Sequence, residues 1–248
     1  MKIITFNIAG RSNFGRDFNA RLEQIATFLD KEQADIVCLQ EVPFLEHESV
    51  ADKINKRMLA PYKYSVSQMC EKYTHDKFSE GFAKKWKAGL VEHFDEYTSD
   101  GLAILSKIPF AKCNTIVLKP VPADERGRPD FRVRIAQIAE LESGFTLTNT
   151  HLASNNNSHI QLAELINYQT TDAITGDFNM FADSMYSHKD IWQDFYAQSL
   201  DFEQYISFPD EQVTLDHMLL KPKFKFTSIR TVEGLSDHSA VIFEIQEK

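Results

Sequence analysis

Short apolar runs rich in β-forming residues recur along most of the chain. Runs of this kind, bounded by polar or turn-forming residues, are typical of β-strands. The predicted strands cover residues 2–8, 35–41, 101–106, 110–118, 131–141, 145–151, 173–177, 214–220, 225–231 and 239–245. Residues 62–99 are polar and aromatic, and we expect a strand followed by a long connection there.

Other segments carry apolar residues at helical spacing. Leu22, Ile25, Ala26 and Leu29 recur in this way with charged residues between them. The predicted helices cover residues 16–31, 47–58, 158–169 and 190–199. Because strands outnumber helices and the two are interspersed, the sequence predicts an α/β fold with mixed sheets, as a single domain over residues 1–248.

The overall charge limits the classes of partner that this chain can attract. Its 248 residues carry a formal net charge of −9, which repels a polyanion such as nucleic acid. A tight nonspecific DNA-binding protein would show a basic surface instead. The excess of acids does not exclude a nuclease, because several of the carboxylates can be metal ligands.

The cysteine content and the hydropathy of the sequence indicate in which cellular compartment the protein is expected. Cys38, Cys70 and Cys113 are too few and too scattered for a disulfide framework, so we expect free thiols in a reducing compartment. The sequence shows no secretory signal and no apolar run of about 20 residues, the length that crosses a membrane. We therefore predict a cytoplasmic protein without stable membrane association.

Polar residues interrupt or follow the apolar strands at their ends. Buried polar groups need partners, because each one left unpaired costs about 1–3 kcal/mol. Several such groups meeting at one place can satisfy each other around a metal, and oxygen ligands without cysteine favour Mg²⁺ or Mn²⁺. The residues in this position are Asn7, Glu41, His151, Asp177, Asn179, Asp237 and His238.

Around these positions the sequence resembles the endonuclease/exonuclease/phosphatase superfamily. The matching segments, in family order, are Thr5-Phe6-Asn7-Ile8-Ala9-Gly10, Leu39-Gln40-Glu41-Val42, Gly101-Leu102-Ala103-Ile104-Leu105-Ser106, Asn149-Thr150-His151-Leu152, Gly176-Asp177-Phe178-Asn179, Leu215-Asp216-His217-Met218 and Ser236-Asp237-His238. Each segment alone is a weak signal, whereas all seven in order are a strong one. The resemblance implies a four-layer α/β sandwich, in which two packed mixed β-sheets are flanked by helices.

The resemblance also implies roles for individual residues. Glu41 corresponds to the principal metal carboxylate, with Asn7 and Asp237 beside it. Ala9 stands where many nuclease members carry an acid two residues after the strand-one asparagine. This difference argues against a close match to the abasic-site endonucleases and favours a single-metal site.

Five further residues correspond to catalytic groups of the family. Asp177 would orient or deprotonate the attacking water, and Asn179 would position the phosphate and the water. His238 would contact the scissile phosphate while Asp216 fixes its tautomer, and His151 would stabilise charge or assist the leaving group. Because neighbours in a strand face opposite sides, only one of Asp216 and His217 can enter the site, and we expect Asp216.

Two basic clusters are candidates for substrate contacts. Arg132 and Arg134 would share one face of the strand predicted at 131–141, and a guanidinium can bind phosphate through two hydrogen bonds. The alternative is an exposed face of the sheet. The run Lys84-Lys85-Trp86-Lys87 is either a patch that binds phosphates and stacks on bases or a solvated helix face.

Together these features predict a Mg²⁺- or Mn²⁺-dependent hydrolase of phosphodiesters or phosphomonoesters. The alternatives are a nuclease specific for DNA or RNA, a phospholipid or inositol-phosphate phosphohydrolase, and a non-catalytic binding module on the same fold. The expected partner is a phosphate-ester substrate, with nucleic acid among the candidates.

Overall fold

Two mixed β-sheets pack against each other, with helices on their outer sides. The computed structural model describes residues 1–9, 18–45, 48–72, 99–127, 130, 132–168, 171–193, 195 and 205–248. The strands are β1 (Lys2–Asn7), β2 (Ile36–Leu45), β3 (Glu48–Ser49), β4 (Tyr64–Lys72), β5 (Ser99–Ser106), β6 (Phe110–Val117), β7 (Ile135–Leu141), β8 (Thr146–His151), β9 (Ala173–Asp177), β10 (Asp216–Leu220), β11 (Phe224–Val232) and β12 (Ala240–Glu247). The helices are α1 (Phe18–Glu32), α2 (Val50–Arg57), α3 (Ser158–Asn167), α4 (Ala182–Ser187) and α5 (Lys189–Trp192).

The first sheet combines the beginning and the end of the chain. Its order is β11-β12-β1-β2-β5-β4, and β3 pairs with β2. The second sheet has the order β10-β9-β8-β7-β6 and is formed by the intervening segment. Each sheet contains one parallel pair, β1 with β2 and β8 with β9, and its other pairs are antiparallel. The predicted fold class is therefore confirmed.

Strand alternation divides the core into two clusters. Ile3 contributes to the cluster between the sheets, which also contains residues of β8 and β9, whereas its neighbour Ile4 packs on the other face of the first sheet. There it meets the apolar side of α1, including Leu22 and Ile25. Helix α3 contributes Leu162 to the same cluster as Ile3. Amphipathic helices and alternating strands thus produce the layers together.

Several predicted element boundaries differ from the structure. The helix predicted at 47–58 begins only at Val50, because Glu48–Ser49 pair with β2 and the Ser49 hydroxyl accepts a hydrogen bond from the Asp52 amide at 3.1 Å. The short helix α4 was not predicted. Helix α5 contains only the start of the helix predicted at 190–199, and residues 194 and 196–199 lie outside the described residues, as do residues 73–98 with the cluster at 84–87.

The strand predicted at 131–141 begins at Ile135, so Arg132 and Arg134 do not share a strand face, and that prediction was wrong. The Asp130 carboxylate accepts hydrogen bonds from the Arg132 amide at 3.2 Å and from Arg134 Nε at 2.8 Å. These contacts fix Arg132 and Arg134 to Asp130, and neither residue belongs to a strand. Among the described residues, no helix is both long and apolar enough to cross a membrane.

Candidate active site

The candidate site lies where the carboxyl ends of the two parallel strand pairs meet. In the first sheet, Asn7 and Gln40 are register partners at the ends of β1 and β2. In the second sheet, His151 and Asp177 are register partners at the ends of β8 and β9. The hydrogen bond from Asn7 Nδ2 to Asp177 Oδ2, 2.9 Å long, joins the two sheets at this edge.

Buried amides fix the sheets next to the site. Asn149 Nδ2 donates to the carbonyl oxygens of Leu39 and Ala103 at 3.1 and 3.0 Å. Gln40 Nε2 donates to Asn149 Oδ1 at 2.8 Å. Both side chains are fully buried, so these hydrogen bonds replace those that water would have made. They hold the first sheet against the second directly below the candidate site.

Asp177 is the centre of the arrangement. Its Oδ2 atom lies 2.9 Å from Asn7 Nδ2, 3.5 Å from His151 Nε2 and 3.7 Å from His238 Nε2. Its Oδ1 atom accepts a hydrogen bond from the Asn179 amide at 2.8 Å. Burial raises the pKa of Asp177, which makes its carboxylate a better proton acceptor.

His238, in the segment before β12, is held by the carboxylate of Asp216, the first residue of β10 in the second sheet. Its Nδ1 atom lies 2.8 Å from Asp216 Oδ2, so Nδ1 carries the proton and Nε2 faces Asp177. Burial alone would lower the pKa of His238, but the carboxylates of Asp216 and Asp177 outweigh burial and raise the pKa to about 10. The ring is therefore an imidazolium at neutral pH, and its Nε2–H is a charged hydrogen-bond donor.

The neighbour of Asp216 faces away from this pair. His217 Nε2 lies 2.7 Å from the Met180 carbonyl oxygen, which makes Nε2 the donor. The Asp216 backbone is fixed by Ser207, whose hydroxyl accepts hydrogen bonds from the Leu215 and Asp216 amides at 2.9 Å each. The Ser207 carbonyl oxygen accepts a hydrogen bond from the Ser239 amide at 2.7 Å. Ser207 thus ties the start of β10 to the residue after His238.

Ser207 belongs to none of the motifs, and the sequence contains no signal that would have identified it. Its role arises because the fold brings the segment before β10 next to the segment before β12. The same holds for Asp130, whose partners Arg132 and Arg134 were predicted to lie on a strand.

His151 has different electrostatics from His238. Burial lowers its pKa well below the ordinary value, and the guanidinium groups of Arg134 and Arg132 lower it further. The imidazole of His151 is therefore neutral at pH 7. It can act through hydrogen bonding, whereas the positive charge beside Asp177 belongs to His238.

Asn7 and Asn179 brace the loops that follow their strands. Asn7 Oδ1 accepts a hydrogen bond from the Ala9 amide at 2.9 Å, so both ends of this side chain have partners in the protein. Asn179 adopts a φ of +51° and donates from Nδ2 to the Leu152 carbonyl oxygen at 3.0 Å. This hydrogen bond connects the loop after β9 to the loop after β8.

Glu41 and Asp237 form a second acidic group. Glu41 has a φ of +50° and lies where the register between β2 and β5 shifts, between Leu39 and Val42. Burial raises the pKa of Asp237, and the charge of Glu41 raises it further, whereas His238 opposes the shift. Two carboxylates that repel each other in a half-buried site are suited to a divalent cation, whose charge would relieve the repulsion.

A different trio also satisfies simple distance criteria for a metal. Asp177, Asp216 and His238 offer ligand atoms that all lie within 4.8 Å of one another. However, Asp216 already bonds His238, and a protonated imidazole cannot bind a cation. The oxygen donors of Glu41, Asp237 and Asn7 fit Mg²⁺ or Mn²⁺ better.

The charges of the two predicted arginines both act on His151, but the two side chains differ in their partners and in their exposure. Arg134 is buried and paired with Asp130. Its Nη2 atom is buried without a hydrogen-bond partner among the described residues. Arg132 Nη1 lies 3.4 Å from Glu41 Oε1, and both side chains are partly exposed.

A family model matches most of the chain. The model of the Endonuclease/Exonuclease/phosphatase family matches residues 4–238. A comparison with curated proteins found no match.

Solved structures share the fold. The endonuclease/exonuclease/phosphatase from Beutenbergia cavernae is 16% identical, with a TM-score of 0.71, and the match covers 100% of this chain and 71% of that one. A mannosyl-6-phosphatase from Bacteroides thetaiotaomicron is 14% identical, with a TM-score of 0.66 and 99% of both chains covered. D. rerio TDP2 in complex with a single-strand DNA product is 13% identical, with a TM-score of 0.67 and coverage of 99% and 98%. At such identities the likeness shows the fold alone.

Proposed function

Because this chain belongs to the endonuclease/exonuclease/phosphatase family, we propose that it hydrolyses phosphate esters with the help of a divalent cation, Mg²⁺ or Mn²⁺. The observation that carries the proposal is the convergence on Asp177 Oδ2 of Asn7 Nδ2, His151 Nε2 and His238 Nε2 at 2.9, 3.5 and 3.7 Å. A carboxylate and a charged donor therefore face the same small space.

The side chains around this space match the needs of phosphoryl transfer. The reaction accumulates negative charge on the phosphate oxygens, and preorganised donors stabilise that charge. His238 would donate from Nε2 to a phosphate oxygen, while Asp216 holds Nδ1. Asp177 would orient the attacking water and accept its proton at Oδ2.

The remaining candidates support the chemistry from the edges of the site. His151 would donate a hydrogen bond to a phosphate or leaving-group oxygen, and Asn179 would position the phosphate and water from the loop after β9. Arg134 would offer its Nη2–H groups, which lack a partner among the described residues, to a phosphate oxygen.

Glu41 and Asp237 would hold the cation, with the Asn7 amide oxygen beside them. When bound, the cation would offset negative charge on the phosphate and polarise it towards attack. Asn7 Oδ1 already accepts the Ala9 amide, and its second lone pair remains for the cation. With Ala9 in place of a further acid, these donors favour one cation over two.

The surroundings favour a compact phosphoester over a long nucleic acid. The Phe208 ring centre lies 5.0 Å from that of His238, and the turn after it exposes Asp210 and Glu211. These acids are part of the formal net charge of −9 and would repel an extended polyanion near the site.

The direct test is steady-state hydrolysis of bis-(p-nitrophenyl) phosphate and p-nitrophenyl phosphate, with Mg²⁺, with Mn²⁺ and with a chelator. We expect turnover that requires added cation. DNA, RNA, phospholipids and inositol phosphates, tested under the same conditions, rank the substrate classes. If none of these substrates is hydrolysed in a cation-dependent manner, the proposal fails. A cation that binds without turnover would instead support a non-catalytic binding module.

Two substitutions test the residue roles. Glu41→Gln and His238→Ala should each lower kcat/KM by at least about 100-fold, the loss typical of one strong transition-state contact. Glu125→Gln, at an exposed glutamate, and His188→Ala, at a histidine outside the site, are the matched controls and should retain activity. Near-wild-type rates in both site variants would refute the assignment.

A further inference from the structure

Arg132 occupies a contact that a cation would compete for. Its Nη1 atom lies 3.4 Å from Glu41 Oε1, longer than the 2.7–2.9 Å that is usual for charge-assisted N–H···O bonds. The side chains of Arg132 and Glu41 are 31% and 21% exposed. The ion pair is therefore loose and reached by water, and such pairs are weak.

The backbone of Arg132, by contrast, is anchored. Its amide donates to Asp130 Oδ1 at 3.2 Å, and the other oxygen of Asp130 binds Arg134 Nε at 2.8 Å. The side chains of Asp130 and Arg134 are only 5% and 3% exposed. The guanidinium of Arg132 can thus leave Glu41 while its backbone stays in place.

A phosphate bound beside Asp177 would be a second acceptor for Arg132. The charges of Arg132 and Arg134 both act on His151, whose Nε2 is 3.5 Å from Asp177. The two guanidinium groups therefore contribute positive charge to the surroundings of His151, beside which the scissile phosphate would lie. A guanidinium released from Glu41 would find an anionic partner there once a phosphate is bound.

We propose that Arg132 is an exchangeable counter-ion of Glu41, which a divalent cation displaces and which then binds an oxygen of the substrate phosphate. This inference rests on the proposed function, since it takes Glu41 as a cation ligand. It implies that the partner of Arg132 depends on whether a cation is bound. Without a cation, Arg132 neutralises Glu41, and with a cation, Arg132 becomes available to the phosphate.

The exchange predicts a coupling between two ligands. A cation that frees Arg132 raises the affinity for phosphate, and phosphate that binds Arg132 raises the affinity for the cation by the same factor. Part of any such coupling comes from direct attraction between the cation and phosphate. The part due to Arg132 is the part that disappears when its charge is removed.

The test uses the full chain, Mn²⁺ as the cation and inorganic phosphate as the anion. Free Mn²⁺ is followed by electron paramagnetic resonance during titration, with and without phosphate. We expect Arg132→Gln to bind Mn²⁺ alone about 3- to 10-fold more tightly than the wild type, because a competing charge is gone. The factor by which phosphate tightens Mn²⁺ binding should fall by at least about threefold.

Two further variants control for charge and geometry. Arg126→Gln removes an exposed arginine from the same connection between β6 and β7 and should leave both measurements unchanged. Arg132→Lys keeps the charge and should remain within about twofold of the wild type in its affinity for Mn²⁺ alone.

The outcomes separate the inference from the proposed function. If the wild type binds no Mn²⁺, the proposed function fails, and the inference fails with it. If the wild type binds Mn²⁺ but Arg132→Gln binds it equally or more weakly, the exchange is refuted while the proposed function stands. An equal gain in Arg126→Gln would also refute the exchange, because the effect would then reflect net charge alone.

Discussion

The two oxygens of Asp177 serve different purposes. Oδ1 accepts the amide of Asn179, two residues along the chain, which fixes the orientation of the carboxylate. Oδ2 is thereby directed towards Asn7, His151 and His238. The position of this oxygen depends on the local backbone after β9, so the residues around Asp177 matter as much as the carboxylate itself.

Gly176, directly before Asp177, is required by space and by backbone conformation. Its φ is +142°, and a Cβ atom there would lie 1.9 Å from the Thr150 carbonyl oxygen of β8. Gly176→Ala should lower the free energy of unfolding by at least about 3 kcal/mol, because strand β8 would have to move. Urea denaturation followed by circular dichroism measures this loss.

The matched control is Gly144→Ala. Gly144 also has a positive φ, +82°, but no atom lies within 4 Å of an added Cβ. We expect this variant to lose only about 1 kcal/mol, from backbone strain alone. Equal losses in the two variants would show that the close approach of β8 to β9 is not the cause.

At the level of the strands, register aligns the catalytic candidates. His151 on β8 pairs with Asp177 on β9, and Asp177 pairs in turn with Asp216 on β10. Residues in one register row point to the same face of a sheet. This row presents an imidazole and two carboxylates side by side, and His238 joins it from the segment before β12.

The side chain of Asn149 connects the two sheets, and replacing it tests that connection. Its amide donates to two backbone carbonyls of the first sheet and accepts from Gln40. Asn149→Leu has a similar size but leaves these partners unpaired, so we expect a loss of about 2–4 kcal/mol in the free energy of unfolding. Thermal and urea unfolding measure the loss.

Asn114→Leu, on the exposed strand β6, is the control for Asn149→Leu and should change stability by less than about 0.5 kcal/mol. If Asn149→Leu is as stable as the wild type, the buried amide does not hold the sheets together.

Much of this architecture was predictable from the sequence. Alternation predicted that Asp216 and His217 lie on opposite faces of their strand, as they do in the structure.

The register between strands and the bulge that carries Glu41 were not predictable, because both depend on contacts between segments distant in the chain. The prediction of a strand at Arg132 was wrong for a local reason, because the Asp130 carboxylate accepts hydrogen bonds from the Arg132 amide and from Arg134 Nε. Ser207 was missed because its partners, Asp216 and Ser239, are defined only by the fold.

For the molecule as a whole, pH acts on stability through buried histidines. His217 is fully buried, and burial lowers its pKa from 6.5 to about 4. Below pH 6.5 the unfolded chain therefore binds a proton at this residue that the folded protein does not. The stability contributed by the neutral ring is complete above pH 6.5 and is lost as the pH falls towards 4.

We therefore expect the free energy of unfolding to fall between pH 6.5 and 4, with up to about 1.4 kcal/mol per pH unit due to His217. His217→Gln keeps a donor for the Met180 carbonyl but does not titrate, so its pH dependence should be shallower by about this amount. Urea unfolding at several pH values compares the two proteins. Above pH 7 their slopes should coincide, and identical slopes below pH 6 would contradict the assignment.

The strand order has a consequence for synthesis. Strand β12 comes after every other described strand in the chain, yet it lies between β11 and β1 in the sheet and pairs with β1, which is made early. His238 and Asp237 directly precede it, whereas Asn7 and Glu41 belong to β1 and β2, which are made before the other described strands. A nascent chain on the ribosome thus lacks Asp237 and His238 until the other eleven described strands have been translated. The order of translation therefore delays the assembly of the candidate site until both sheets can close.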